Sequence, residues 1–409
     1  LDYLSIFENV NSCFETDKFG NCLIQTHRAK LFGIPVMLVG QQSGPSSNYK
    51  NMRKAMMDPA QIQKWNHGMP VPISYERAVK AINLAEEENR ILLIFIDTPG
   101  ADPTERSEAN GIAWRIGDAI HALADVKVPT ISIIINRACS GGAIALTGTD
   151  VTLALEHSTY LVITPEACSS ILFHTRSRAN EAAEISQITA REGLTHGIVD
   201  ELIPEPNGPA HRNRSEIFES VKDALKKYVS QFSNFNGDNV IKNRIDRWEK
   251  IGQWEMIDSI ELETFHFPVS RIPKPESTGY INRHKNCYNE NGIHQYDPVL
   301  FSNLKQSNFI CDVCGHRYVR PSAWDYIDWM VDSGSFFEHE ETKFIADKDI
   351  LGFPDYIEKL KETRIKTGLL TAMITGDGTI CGKKIVLCTT DFGFLGGSFC
   401  MSTGEKVWR

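Results

Sequence analysis

The sequence predicts an α/β protein organised around a parallel-rich β-sheet, and three observations predict it. Apolar runs alternate with stretches of helical spacing across residues 1–235. The longest of these runs, Ile91–Ile96 and Thr130–Ile135, have the β-branched, unbroken character of strands buried on both faces. One of them continues through Asn136-Arg-Ala-Cys into Ser140-Gly141-Gly142 and a small-residue helix start.

The elements follow in order. Val36–Val39 is a strand, with Pro35 placed where a strand tolerates proline, and it leads into the loop Gly40-Gln41-Gln42-Ser43-Gly44. Ser74–Glu88 has helical spacing, with Ala78, Ala81, Leu84 and Ala85 on one face. Strand Ile91–Ile96 ends in the turn Asp97-Thr98-Pro99-Gly100, whose proline and glycine suit turn geometry. Glu105–Ala124 reads as helix and Pro129–Ile135 as strand. Val151–Leu155 and Tyr160–Ile163 are further strands; Ala179–Leu194 and Ser215–Tyr228 are helices. After Gln231 the character changes. Asn234-Phe-Asn-Gly-Asp reads as a loop, Ile241–Ile251 as a charged helix, and the prolines Pro268, Pro273 and Pro275 as a linker. A Cys/His-bearing module spans Arg283 to Arg320. Trp324–Ser333 and Tyr356–Thr367 read as helices, Leu369–Thr375 and Lys384–Thr390 as strands. A Gly-rich loop, Phe394–Ser398, then turns into a helix start, much as Val39–Gly44 follows the first strand. The expected domains are 1–253, a linker 254–282, a small module 283–320 and a partial second domain 321–409.

Composition narrows the function. The 409 residues allow two or three domains, and 42% hydrophobic with 23% charged residues is ordinary for a globular protein. A net charge of −9 argues against nucleic acid as a partner. No apolar stretch approaches the roughly 20 residues of a membrane span. The N-terminus lacks a secretory signal pattern and begins at Leu1, so further N-terminal sequence is expected. The ten cysteines are scattered apart from Cys311-Asp-Val-Cys314, which points to a reducing, cytoplasmic compartment and at most one metal site.

Chemistry is carried by two patterns. The first is Ser140-Gly141-Gly142. Its glycines admit a ligand close to the backbone, and a helix start leaves N–H groups unpaired at the positive end of the dipole. Such donors suit an oxyanion or enolate and are worth about 3–4 kcal/mol each in a transition state. The alternative is helix–strand packing that simply needs small residues. Valine at either glycine is expected to block the reaction and leave the fold largely intact. The second pattern is Cys311 and Cys314 with Cys287 as a third thiolate. His294, Glu290 or His284, in that order, could supply a fourth zinc ligand; the alternative is a set of buried thiols without metal. Arg212, Arg214, Arg317 and Arg320 could meet phosphates or be merely solvated.

Several segments occur in an order that carries a resemblance. They are Gly33-Ile-Pro-Val-Met-Leu-Val-Gly-Gln-Gln, Asn66-His-Gly-Met-Pro-Val-Pro, Ile96-Asp-Thr-Pro-Gly-Ala and Ser140-Gly-Gly-Ala. Ser158-Thr-Tyr-Leu-Val-Ile-Thr-Pro-Glu-Ala and Ile203-Pro-Glu-Pro-Asn-Gly-Pro-Ala-His-Arg-Asn213 follow. Together, over residues 1–252, they resemble the carboxyltransferase α subunit of acetyl-CoA carboxylase. Residues 283–409 resemble the N-terminal half of the β subunit through Cys311-Asp-Val-Cys-Gly-His-Arg, Asp332-Ser-Gly-Ser-Phe-Phe-Glu and Phe394-Leu-Gly-Gly-Ser through Gly404-Glu-Lys. The chain departs from the family pattern in four places. The loop after Asp97-Thr-Pro-Gly-Ala-Asp-Pro is shorter, and Ser43 stands where lysine is common. The first cysteine pair of the ribbon is reduced to Cys287 with Glu290, and the second half of the β-like fold is absent.

The resemblance implies a crotonase-like spiral of ββα units, a zinc-ribbon-like module and a partial second crotonase-like domain. It implies transfer of CO2 from carboxybiotin on a biotin carboxyl carrier protein to an acyl-CoA or acyl-carrier-protein thioester, as in fatty acid biosynthesis. It implies that Gly141 and Gly142 hold the biotin-side oxygen and that the amides of Gly396, Gly397 and Ser398 serve the thioester. Asp97, Thr98, Pro99 and Gly100 would shape the pocket. No side-chain acid or base is required, because biotin freed of CO2 can take the thioester α-proton. Implied partners are the carrier protein, a second crotonase-like chain completing the β-like domain, and biotin carboxylase indirectly, in an α2β2-type assembly. The alternatives are a biotin-linked malonyl-thioester decarboxylase and a degenerate assembly or regulatory subunit.

Overall fold

The apolar runs of the first unit become the strands of one sheet, and helices cover both of its faces. The computed structural model describes residues 2–14, 23–44, 54, 57–252, 254–256, 280–281, 287–293, 297–307, 309–317, 321–342, 345–349 and 351–409. The chain divides into two units, Leu1–Ile251 and Gly252–Arg409. No helix among the described residues is long and apolar enough to cross a membrane.

In the first unit the strands are β1 (Glu8–Ser12), β2 (Ile24–Leu31), β3 (Ile34–Gln41), β4 (Ile91–Thr98), β5 (Thr130–Cys139), β6 (Val151–Leu155), β7 (Thr159–Leu161) and β8 (Glu201–Ile203). The order is β1-β2-β3-β4-β5-β6-β8, with β7 also paired to β5. The first three strands are antiparallel, and from β3 onward neighbours run parallel. Beyond its pairing with β4, the long β5 serves two further partners, Ile131–Ile134 pairing with β6 and Arg137–Cys139 with β7. The helices are α1 (Pro59–Lys64), α2 (Pro72–Glu87), α3 (Glu105–Ala109), α4 (Ile112–Asp125), α5 (Ser140–Thr147), α6 (Pro165–Phe173), α7 (Ala179–Ile185), α8 (Ala190–Thr195), α9 (Arg214–Gln231) and α10 (Gly237–Trp248).

The central strands β3, β4 and β5 alternate between two cores. Met37, Leu92, Ile94 and Ile134 meet Tyr75, Ala78, Ala81 and Ile82 of α2 and Ala119 and Leu123 of α4. Leu38, Leu93, Phe95 and Ile133 meet Ile217, Val221, Leu225 and Val229 of α9. Burial on both faces explains why β4 is apolar throughout its first six residues.

Three local readings are corrected. The helix expected over 105–124 is two helices, because Gly111 takes φ 74 between them. The helix expected over 179–194 also breaks, and Thr189 starts α8 in a reciprocal capping box with Glu192. The expected loop at 234–238 already contains the start of α10, whose first amides Asp238 N and Asn239 N donate to the Asn236 side chain. Strands β1, β2 and β8 and helices α1 and α6 have no counterpart in the sequence reading.

The second unit contains β9 (Trp254–Met256), β10 (Tyr280–Ile281), β11 (Val299–Leu300), β12 (Phe337–Glu338), β13 (Ile345–Asp347), β14 (Met373–Ile380) and β15 (Lys383–Thr390). Its helices are α11 (Phe301–Gln306), α12 (Ala323–Met330), α13 (Tyr356–Thr367) and α14 (Met401–Trp408). Strands β9 and β10 fall inside the segment expected to be linker; each finds an antiparallel partner, β13 and β11. The three prolines between them lie outside the described residues. Strand β14 begins later than expected, at Met373, and runs to Ile380. A core of Ala323, Ile327, Phe336, Leu360, Ala372, Ile374 and Phe394 sits under the sheet β12-β14-β15.

The two units share a hairpin. Strands β2 and β3 have eight residues each and join through Phe32-Gly33, both at positive φ (52 and 78). Strands β14 and β15 have eight residues each and join through Cys381-Gly382, at φ 50 and 75. The registers correspond as well: Leu31↔Ile34 and Ile24↔Gln41 in one, Ile380↔Lys383 and Met373↔Thr390 in the other. The hairpins differ at one edge. Strand β3 pairs on its other side with β4, whereas β15 has no second strand partner among the described residues, and Val386 on it is 69% exposed.

Candidate functional site

The motif segments of the first unit converge where β3, β4 and β5 end. Strand β5 enters α5 through Ser140, which holds φ 55. No side-chain hydrogen bond caps this helix at Cys139. Its first-turn amides therefore keep the unpaired state that any uncapped helix start has. Gly141 and Gly142 lie in that turn, as the sequence anticipated.

The two glycines are not equivalent. A Cβ on Gly142 would sit 2.6 Å from Gly100 C and Ala101 N and 3.0 Å from the Tyr75 hydroxyl. A Cβ on Gly141 would meet Ile116 Cδ1 at 3.4 Å, an ordinary contact. Gly142 is thus required by packing in its own right. The expectation that valine there would leave the fold intact is corrected by this contact, while at Gly141 the backbone remains approachable.

The β4 turn is held from several sides. Asp97 accepts from Asn136 Nδ2 (2.9 Å) on one carboxylate oxygen and from the Ser43 hydroxyl on the other. Thr98 is fully buried; its hydroxyl donates to Gly100 O (2.9 Å) and accepts from Gly100 N (3.2 Å). The Asn66-His-Gly-Met-Pro segment closes this edge. A Cβ on Gly68 would lie 3.0 Å from Ser43 Cβ, and Asp102 N donates to Pro70 O (3.0 Å). Gln41, at the end of β3, donates through Nε2 to Gly142 O (2.8 Å) and accepts at Oε1 from Asp97 N (3.1 Å).

Beside this edge a cavity of about 810 Å³ opens on the α9 face of the sheet. Tyr3, Phe7, Phe95 and Phe218 form its aromatic floor, with Tyr3 centred 4.9 Å from Phe218 and 5.3 Å from Phe95. Gln41, Ser43 and Asp97 line it as well, with His27, His157 and Arg214. Burial holds the His27 imidazole below its ordinary pKa, so the ring is neutral near pH 7. The buried Glu205 carboxylate accepts from His157 N (2.6 Å). Size and apolar lining are those of a small-molecule site. Gln41, Ser43 and Asp97 lie in segments the sequence singles out, but nothing local signals Asn136 or the bonds from Gln41 to Gly142 O and Asp97 N; only the convergence of the segments shows them.

The remaining candidates lie in the second unit. Gly396 and Gly397 both take φ 75 in the turn after β15. Gly397 N donates to Phe394 O (2.8 Å), so this amide is already engaged, and the Ser398 hydroxyl donates to Leu395 O (2.7 Å). The sulfurs of Cys287, Cys311 and Cys314 lie within 4.8 Å of one another, with Cys287 and Cys311 at 3.7 Å. Tetrahedral zinc–thiolate bonds of about 2.3 Å put sulfurs about 3.8 Å apart, so the three thiols fit zinc. His294 and His284 lie outside the described residues, and Glu290 is not in the group. Burial and the neighbouring sulfurs push the Cys287 thiol up. At Cys311 burial also raises the pKa, but hydrogen bonds from the Val313 and Cys314 amides and from the two thiols outweigh it and draw it down.

Comparison with known proteins adds three findings. Residues 17–252 match the family described as acetyl co-enzyme A carboxylase carboxyltransferase-like. The acetyl-coenzyme A carboxylase carboxyl transferase subunit alpha of Bacillus cereus is 36% identical over 255 residues, covering 62% of this chain and 75% of the relative. That of Nitrosomonas europaea is 36% identical over 228 residues, covering 56% and 67%. Among solved structures, a Pseudomonas malonate decarboxylase hetero-tetramer with coenzyme A superposes with a TM-score of 0.47 at 16% identity, over 61% of this chain and 94% of that one. Transcarboxylase 12S with methylmalonyl-coenzyme A gives 0.43 at 20% identity, over 56% of this chain and 41% of that one.

Proposed function

The chain belongs to the acetyl co-enzyme A carboxylase carboxyltransferase-like family, and from that premise we propose how it works. It is a carboxyltransferase component of a biotin-dependent acyl-CoA carboxylase, forming a malonyl-type product. The observation that carries the reading is the uncapped start of α5 at Gly141, set at the meeting point of the family's motif segments. Carboxybiotin on a carrier protein supplies the carboxyl group and, freed of it, the base for the thioester. The chain's own part is electrostatic. The Gly141 and Gly142 amides present donors where negative charge develops on the biotin-side oxygen, aided by the helix dipole. An open backbone at Gly141 fits the approach of such a group, since only Ile116 Cδ1 stands near its Cβ position. Asp97, fixed by Asn136 and Ser43, and Thr98 to Gly100 shape the wall beside it.

In the same reading the first unit is a crotonase-like domain, 283–320 a zinc-ribbon-like module and 321–409 the start of a second crotonase-like domain. The repeated hairpin supports the last of these. Gly396 and Ser398, rather than the engaged Gly397, would offer amides to the thioester. Cys287, Cys311 and Cys314 would hold a structural zinc, with His294 as fourth ligand. A second crotonase-like chain would cover β15 in an α2β2-type assembly that works with biotin carboxyl carrier protein and biotin carboxylase. The cytoplasm is its compartment, on the scattered cysteine usage.

The test is reconstitution. The full chain, a second crotonase-like chain and carboxylated carrier protein are mixed with acetyl-CoA, and malonyl-CoA is measured. Product that depends on all components is expected. Malonyl-thioester decarboxylation without any forward transfer would favour the decarboxylase instead, and neither reaction would favour an assembly role.

A further inference from the structure

Gln41 is 5% exposed, and its side chain spans three elements. It leaves the end of β3, donates through Nε2 to Gly142 O in the first turn of α5 at 2.8 Å, and accepts at Oε1 from Asp97 N near the end of β4 at 3.1 Å. Only one orientation of the amide satisfies both bonds. Reversed, it would set oxygen against a carbonyl and N–H against N–H. The Tyr75 hydroxyl reaches the same Gly142 carbonyl at the longer distance of 3.4 Å. Both Gln41 bonds end on backbone, so they fix positions of the main chain rather than of side chains.

We propose that Gln41 is a positioning residue for carboxyl transfer: it sets the separation between the end of β4 and the first turn of α5, and so aims the Gly141 and Gly142 amides. It touches no reacting atom. The proposal rests on reading those amides as oxyanion donors. Such donors act within a narrow range, about 2.7–3.1 Å from the developing charge. A shift of about 1 Å costs on the order of 10²-fold in rate. The role needs one donor and one acceptor on a neutral group. Leucine supplies neither, and an ionised glutamate supplies acceptors alone.

Two measurements test it on the full chain. Hydrogen exchange compares wild type with Gln41→Leu and the nearly isosteric Gln41→Glu. In Gln41→Leu, exchange at the Asp97 amide and at Ile144–Leu146 of α5 should quicken by about tenfold or more. In Gln41→Glu the Asp97 amide should stay protected while α5 loosens. Unchanged exchange in both variants overturns the proposal, whether or not the chain is active. In the reconstituted enzyme, Gln41→Glu should lower kcat on the order of 10²-fold near neutral pH, with KM within about threefold. Its kcat should recover as pH falls through the new carboxyl's pKa, because the protonated acid donates again; wild type should lack this limb. A loss independent of pH, or confined to KM, also overturns it. An inactive wild type would remove the carboxyltransferase reading and this proposal with it, whereas an active wild type without the exchange and pH effects would remove the proposal alone.

Discussion

The position a Cβ would take on Gly142 lies 2.6 Å from the carbonyl carbon of Gly100. Main chain of the turn after β4 and the first turn of α5 are thus in direct contact, and only the absence of a side chain allows it. Gly142→Ala should therefore destabilise the protein by about 1–3 kcal/mol, the usual cost of overpacking. Gly141→Ala should leave stability near wild type, since its Cβ finds only Ile116 Cδ1 at 3.4 Å. Gly141→Val should lower carboxyl transfer with a normal melting curve. Equal melting temperatures for the two alanine variants would contradict this account.

Arg244 fastens α10 to the sheet from a position 2% exposed. Its guanidinium bonds Asp150 (2.8 and 3.0 Å) and the carbonyls of Val126 (2.9 Å) and Val128 (3.0 Å). Arg244→Met removes the charge partner of the Asp150 carboxylate, leaving it the Thr130 amide and hydroxyl as donors, and takes the guanidinium donors from the Val126 and Val128 carbonyls. A loss of about 3–5 kcal/mol is expected from urea denaturation; less than about 1 kcal/mol would show that the network is incidental.

Elemental analysis should find about one zinc per chain. Cys311→Ser or Cys314→Ser should lose it, and proteolysis should then attack 283–320 first. A metal-free protein whose three thiols titrate freely, with unchanged stability, would show the cluster to be vestigial.

Lys406 is 4% exposed, and its ammonium donates to Met373 O (3.0 Å). Burial lowers its pKa to about 8, against the raising influence of Glu338, Asp347 and Cys400. The unfolded chain then binds the proton more tightly than the folded one. Stability should rise with pH between about 8 and 10.5, by up to about 3 kcal/mol. Lys406→Met should abolish that rise, and parallel pH–stability curves for variant and wild type would refute the assignment.

The exposed edge of β15 should be where a second crotonase-like chain docks. Val386→Lys should leave the chain folded yet block complex formation in size-exclusion chromatography. An unimpaired complex would place the partner elsewhere.

The alternation of buried strands and amphipathic helices was legible in the sequence because burial demands it locally. β4 is apolar at every position of its first six residues for that reason, and α2 shows its small-residue stripe. The Gly141-Gly142 helix start was legible for the same kind of reason, since strand, glycines and helix are contiguous. Breaks at Gly111 and Thr189 were missed because a helical pattern on either side masks a single residue in another conformation. The pairing of β9 with β13 was missed because strand partners distant in sequence leave no local mark. Gln41 and Arg244 belong to the same class. Their partners lie 101 and 94 residues away, at Gly142 and Asp150, and only the folded chain brings an amide or a guanidinium to those groups. Local chemistry and periodicity thus set the elements and the glycine site. The long-range hydrogen bonds of Gln41, and the reason Gly142 must be glycine, exist only once β3, β4 and β5 end side by side.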